Sequence, residues 1–538
     1  MARTGKVILA KDINVDKNYK NVLAYTESEM YALVYANKTS ELTNCSFIRE
    51  DNSMEVGLSY AVCSMANYLA FQNTSFSNKW FFAFIDKLEY VSNGVTRIYY
   101  TIDIWSTWYD YWTKKPCYII RQHSNTDVAG DNLIPEGLEH GEYIENSFYE
   151  STQFDDFWYV VVSNISINNP TMTNPITNFG SAIIMGAVYV CPYREDIQDL
   201  ITTLNSTTTP EQGVVLEAYV VPKKLISVND PTQITELTGG NAAWVYTENT
   251  LTKPTSLNNY FPVNKKLLTY PYCYILASNC VGNTATWRYE DFTNNTISVK
   301  YWGVPTVGAS IVAIPQNTLY SGMIEALVGA KYPTLGIRED SYTNWLTQNA
   351  VNNQAKTISN AGSMIIGTAL IGAGIFTGGT TALVGAGLLA SGTMGAIESG
   401  AEYYQHQIEP DSIKGLISSG DILMALQNLT FQYHGMSIKA EYARKLDRFF
   451  NKYGYRQNDI QTPLFGSDSY RKYWNYIQIA SDEVAAIPKY NNTTGVIINA
   501  SDLQMINNIF RAGVTIWKLN SNIGDNDLWN TIVTPSNS

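Results

Sequence analysis

Charge is scarce in this 538-residue chain. Asp, Glu, Lys and Arg make up 16% of it, against about a quarter in an average globular protein. The charge present leans negative, with 48 acids against 36 bases and a formal net charge of −12. That sign makes the chain a poor candidate for gripping DNA, which proteins hold by neutralising phosphates with Lys and Arg. It suits a passage through which DNA slides without sticking. Histidine is rarer still: the four are His123, His140, His406 and His434. No two are close enough for a His-Glu-x-x-His zinc pair, and a Ser–His or Cys–His nucleophile would have to recruit one from afar. Gly5-Lys6 is the lone Gly-Lys pair and is followed by Val7, so no P-loop is present. Gly372 and Gly374 precede Thr377 where a dinucleotide fingerprint needs its third glycine. Acidic neighbours such as Asp155-Asp156 do not mark a glycosidase dyad. These absences point away from an enzyme, and no cofactor or metal site is expected.

Paired cysteines are missing too. Cys45, Cys63, Cys117, Cys191, Cys273 and Cys280 are scattered, with no Cys-x-x-Cys. Free buried thiols are the expectation, made in a reducing cytoplasm. The first eleven residues hold Arg3, Lys6 and Lys11 and no apolar core, so no secretory leader is expected. No fixed-period repeat is visible.

Aromatic residues fill the gap that charge leaves. The 38 tyrosines and 12 tryptophans favour half-buried β surfaces over a helical bundle, and the length suits about three to five domains. Residues 79–108, KWFFAFIDKLEYVSNGVTRIYYTIDIWSTW, read as two strands around Asn93-Gly94, a strong hairpin signal. With the turn there, Phe82 falls near Trp105 and Ile85 near Ile102. Both faces then carry large apolar groups and need cover, from a second sheet or a neighbouring subunit. Further strands are expected at residues 182–193 and 267–278, as in sandwiches or barrels.

Helical signals gather toward the end. Asp340 and Ser341 can cap a helix over 342–359. In residues 436–454 the positions Ile438, Tyr442, Leu446, Phe449, Phe450 and Tyr453 share a helical face, and Gly454 sits where a left-handed cap belongs. Ser501 and Gln504 read as a capping box opening a helix over 503–512, stopped at Gly513. Residues 514–517, VTIW, return to strand.

Residues 363–397, SMIIGTALIGAGIFTGGTTALVGAGLLASGTMGAI, stand apart. They hold no charge, no proline and a single phenylalanine. The apolar positions are Ile365, Ile366, Leu370, Ile371, Ile375, Phe376, Leu383, Val384, Leu388, Leu389 and Ile397. Glycines fall at Gly367, Gly372, Gly374, Gly378, Gly379, Gly385 and Gly387. One reading is a buried helical hairpin, two runs on either side of Gly378-Gly379. Each run is shorter than the ~20 residues a spanning helix needs. Core helices rarely hold so much glycine, which costs up to ~1 kcal/mol each relative to alanine, and they usually show a polar stripe. The other reading is conditional insertion into lipid, where small-xxx-small spacing at Gly374/Gly378, Ala382/Ala386/Ala390 and Gly387/Ser391/Gly395 lets backbones pack closely. A permanent anchor lacks a Lys/Arg asymmetry to orient it. Glu398, Glu402, Glu409, Asp411 and Asp421 follow, against a single Lys414. Protonation of that acidic cluster would favour insertion at low pH.

Several stretches resemble one family. They are NKWFFAFIDKLEYVSNGVTRIYYTIDIWSTW near the start, KKLLTYPYCYILASN in the middle, and AEYARKLDRFFNKYGYRQN, RKYWNYIQ and INNIFRAGVTIWK toward the end. In order and spacing they resemble the tail knob (distal tail tube) proteins of picovirus-type, phi-29-like podophages, and the apolar insert falls where that family carries a hydrophobic loop. The resemblance implies a mainly β fold with α insertions. Several barrel- or sandwich-like domains would build a hollow homo-hexameric tube at the tip of a short tail. The implied division is residues 1–150, an N-terminal β-rich tube domain; 151–340, further β domains; 341–430, the membrane-active loop; and 431–538, an α/β segment returning to the wall. The implied partners are sister copies, the upper tail tube or collar, host membrane lipid, and double-stranded DNA crossing the lumen without sequence-specific contact. Six loops would plug the lumen, then leave it and perforate the host membrane. The alternatives are a pore-forming toxin with a hydrophobic hairpin, which should kill intact cells alone, and a virion-associated wall hydrolase, which zymography would reveal.

Overall fold

The computed structural model describes residues 5–45, 47–48, 51–72, 77–151, 156–170, 175–179, 182–193, 195–207, 214–238, 245–279, 284–303, 310–316, 318–319, 334–336, 430–490 and 495–533. They are mainly β-strand with helices inserted between, as the aromatic and β-branched runs imply. They fall into two compact units, each discontinuous in sequence: residues 1–142, 255–272 and 438–538 in the first, and 143–254 with 273–437 in the second.

The first unit contains a seven-stranded sheet in the order Lys38–Cys45, Gly5–Ala10, Tyr68–Gln72, Trp80–Ser92, Val95–Ile102, Ser53–Val56, Phe47–Ile48. Alternate side chains of a strand face opposite ways, and here both faces are apolar. Ile8, Ala10, Tyr68, Phe82 and Phe84 pack with Met30 and Val34 of the helix Glu27–Ala36 and with Trp474 and Trp517. Val7, Leu9, Leu69, Phe71, Ala83, Ile98 and Tyr100 pack on the other side with Met54, Val56 and Cys63. Cover for the inner part of the two-faced hairpin is thus supplied by this chain itself.

The Asn93-Gly94 hairpin forms, with a register that differs from the simple count. Bulges between Ile85 and Lys87 and between Tyr90 and Ser92 place Ile85 opposite Tyr100 and Ala83 opposite Ile102. Each bulge inserts a residue on one strand only, so the Ile85–Ile102 pairing is lost. Trp105 also leaves the strand. Asp103 accepts hydrogen bonds from Ser106 N (3.1 Å) and Ser106 Oγ (2.7 Å), starting the helix Ile104–Trp108. Trp105 is thereby turned into a core with Trp112, Phe465 and Phe510, its Nε1 donating to Leu23 O at 2.8 Å.

A five-stranded sheet, ordered Asn21–Leu23, Val514–Trp517, Trp474–Ile479, Cys117–Gln122, Tyr455–Gln461, completes this core. Its parallel pair joins Val22 to Ile516. The helix Ala440–Tyr453 buries Ala443, Leu446, Asp447, Phe450 and Asn451. Tyr442, Phe449 and Tyr453 are half-buried, so the inward face is rotated from the expected one because Asp447 is drawn in. The carboxylate of Asp447 accepts from Val263 N (2.8 Å), Asn264 N (2.9 Å), Asn264 Nδ2 (2.7 Å) and the Tyr260 hydroxyl (2.7 Å). Gly454 ends the helix at φ +67°, where a Cβ would sit 2.4 Å from Gln122 O. The last helix, Ala500–Ala512, begins earlier than expected. Asn499, and not Ser501, is its cap, accepting from Asp502 N at 2.8 Å. Gly513 ends it, and Val514–Trp517 is a fully buried strand.

Among the described residues the second unit holds three four-stranded sheets. One is ordered Tyr143–Glu150, Gln432–Ile438, Cys273–Ser278, Thr284–Trp287. Another is ordered Val215–Pro222, Phe157–Ser163, Ala187–Cys191, Thr235–Glu236. The third is Val245–Thr252, Thr296–Trp302, Ser310–Pro315, Thr334–Gly336. The strand expected over 182–193 divides at Gly186. Its φ of +149° and a would-be Cβ 2.6 Å from Val162 Cγ1 admit no side chain. Ala182–Met185 pairs instead with Ile176–Phe179 as a two-stranded ribbon. Cys63, Cys117, Cys191 and Cys273 are buried free thiols and Cys45 is half-buried; Cys280 lies outside the described residues.

Candidate functional site

The apolar and glycine positions singled out between residues 365 and 397 lie outside the described residues. So do the helix expected over 342–359 and the acidic stretch 398–421. Among the described residues no helix is long and apolar enough to cross a membrane. Within them, the place nearest this insert is its root, where the chain comes back at Thr430 and runs into the strand Gln432–Ile438.

The return is pinned at once. Thr430 Oγ1 donates to Ser151 O at 2.7 Å, and Ser151 N donates to Phe431 O at 2.9 Å. Thr430 and Phe431 are both buried, and the Phe431 ring stacks on Tyr301 with centroids 5.2 Å apart. Period-two alternation then sends Tyr433 inward and His434 outward. Tyr433 packs on Trp287 at 5.5 Å, and its hydroxyl donates to the Tyr301 hydroxyl at 2.9 Å. The Tyr301 hydroxyl in turn donates to Glu248, and the Tyr149 hydroxyl reaches the same carboxylate at 3.4 Å.

Glu248 is the charge at the centre of this knot and is 7% exposed. Among the described residues no cation pairs with it. Desolvation pushes its carboxyl above the ordinary range, while the hydrogen bonds from Tyr301 and Tyr149 draw it partway back. Burial likewise raises the Tyr301 and Tyr433 phenols, beside the same carboxylate. A buried carboxylate satisfied by hydroxyls is costly to rearrange, since each unmet partner loses about 1–3 kcal/mol. On the outer face His434 Nδ1 lies 2.6 Å from Glu145, with its ring 5.2 Å from Phe148. This arrangement holds a strand firmly and offers no nucleophile beside a base. No group of three or more metal-ligating side chains occurs among the described residues. Nothing in the sequence marks the Glu248 knot beyond the apolar alternation of TISVKYW and the single tyrosines Tyr301 and Tyr433.

A buried ionic cluster in the first unit is also structural. Glu136 accepts from Lys266 at 2.5 Å and from Arg121; burial lowers the Lys266 ammonium and Glu136 opposes that. His123 is fully enclosed, its Nε2–H donating to Asn451 O (3.1 Å) and its Nδ1 accepting from Tyr476 N (2.8 Å). Desolvation, with Arg471 nearby, holds it down to about 3. Two of the four histidines are thus engaged, His123 in the core and His434 in a surface hydrogen bond with Glu145.

Comparison with known proteins places these observations. Residues 240–531 match the family described as Bacillus phage phi29, tail knob protein gp9, C-terminal domain. Residues 3–113 match that described as Caudoviral major tail protein N-terminus. The chain is 24% identical to tail knob protein gp9 of Bacillus phage phi29, with 99% of each chain covered. It is also 24% identical to tail knob protein gp9 of phage PZA, with 96% and 97% covered, and to that of phage B103, with 98% of each covered. The fold resembles the structure of the bacteriophage C1 tail knob protein, gp12, with a TM-score of 0.58 and 13% identity, over 98% of this chain and all of that one.

Proposed function

This chain belongs to the family of the phi29 tail knob protein gp9 C-terminal domain, and from that premise we propose that it is a structural subunit of a phage virion, seated at the distal tip of a short tail. The observation that carries the reading is the end-to-end match, 99% of both chains, to a protein named as a tail knob. The relatives' names are those of structural tail proteins, which supports a building role over catalysis. The finer reading is a homo-hexameric tube whose wall is built from residues 1–340 and 431–538, with the insert 341–430 stored in its lumen. Burying a Leu or Ile contributes ~1.5–3 kcal/mol relative to exposure, so loops sheltered by one another stay soluble until release. Lipid then becomes the favourable destination, and the loops open the host membrane to the genome. The acidic chain supports a lumen that does not hold phosphate. The tail tube above it is the neighbouring partner.

Electron microscopy of the purified full chain and of the virion tip tests this. Rings of six copies, seen also at the tail tip, are the expected result. A monomer at every concentration, or antibody labelling confined to the capsid, overturns it.

A further inference from the structure

The second unit carries an exposed apolar surface that no strand or helix among the described residues covers. In the ribbon Ile176–Phe179 with Ala182–Met185, Ile176 stands opposite Met185 and Asn178 opposite Ile183. These four share one face by the period of the strand. Ile176 is 60% exposed, Ile183 71% and Met185 69%. Among the described residues the ribbon gains no third strand. An isolated two-stranded ribbon is marginal in water. Exposed edges are normally blunted with Lys, Pro or a bulge, and an apolar patch without such guards marks a contact. Here neither strand contains Lys or Pro, and residues 157–193 hold no charged side chain at all.

That absence of charge selects the occupant. A membrane-surface patch would carry Lys or Arg for anionic headgroups, and a nucleic-acid surface needs cations. A second copy of this chain brings a net charge of −12, and an uncharged face is where such copies meet without repulsion. Ten residues cannot supply the ~800 Å² per partner of a stable two-body interface, so the ribbon is one contact within a larger seam. We propose that the ribbon of residues 176–185 docks on the next copy of this chain, against a face other than its own counterpart. The second condition follows from symmetry: a patch meeting itself closes at two copies, whereas a ring needs two different faces. This inference rests on the ring reading above.

Two measurements on the full chain test it. In mass photometry, Ile183→Lys and Met185→Lys should raise the concentration at which rings dissociate by about tenfold or more, with the circular dichroism of the dissociated chain unchanged. Ile460→Lys, at a position 67% exposed in the first unit, should leave assembly as in the parent. Rings that form equally well in Ile183→Lys overturn the contact and leave the ring standing. A parent chain that never assembles overturns the ring and the contact with it. A photo-crosslinker at the exposed Asn178, in mixed isotope-labelled copies, should give adducts between copies outside residues 176–185. Adducts only with the same copy's insert, only with added vesicles, only ribbon to ribbon, or none, each overturn the proposal.

Discussion

At the scale of single residues, two buried titratable groups set opposite pH dependences. His123 is held near 3 by burial, while the unfolded chain takes up that proton near about 6.5. The unfolded state binds more protons between those values, so stability falls as pH drops below about 6.5. His123→Leu removes two hydrogen bonds and should cost about 1–3 kcal/mol near neutrality, while flattening this acid slope in urea titrations between about pH 6 and 4. Glu248 works the other way. Its carboxyl is raised by burial, so its contribution is present when protonated and is lost as pH rises through its folded value. Glu248→Gln should therefore gain on the parent chain, in Tm difference, between about pH 4 and pH 7. A constant difference across that window would contradict a desolvated carboxylate. Neither residue was legible in advance: a lone His and a lone Glu look alike in sequence whether they end in solvent or in a core.

At the scale of elements, punctuation residues were readable and partners were not. Asn93-Gly94 marks its hairpin in the sequence, although neither residue takes a positive φ, and the bulges that move Ile85 opposite Tyr100 leave no local signature. Gly454 announces the end of the helix Ala440–Tyr453, and the structure adds a second demand, since a Cβ there would press on Gln122 O at 2.4 Å. Gly454→Ala should thus cost more than the roughly 1 kcal/mol of an ordinary left-handed position, read as a drop in chemical-denaturation midpoint, whereas Gly94→Ala meets no neighbour and should be milder. The inward turn of Asp447 rotates the buried face a little from the apolar one: apolar periodicity counts an acid as outward, and four hydrogen bonds outweigh that rule here.

At the scale of the whole molecule, the wall and the insert should be separable. The knot of Thr430, Phe431, Tyr301 and Glu248 fixes the returning strand within the second unit, so a chain lacking residues 361–397 should still fold and assemble. Its leakage of dye from liposomes should fall to background, while the parent chain leaks more strongly at pH 5 than at pH 7 through protonation of Glu398, Glu402, Glu409 and Asp411. Undiminished leakage from the deleted chain would remove the insert from the mechanism. The sequence by itself determined the β-rich class, the hairpin turn, the helix stops and the greasy, charge-free tract, because backbone preference and hydrophobic periodicity are local properties. Only the tertiary structure decided that residues 5–10 and 514–517 belong to one unit, that Trp105 turns into a core, and that two tyrosines close on Glu248. Those outcomes depend on which distant segments meet, and contact between residues hundreds apart leaves no mark in either segment alone.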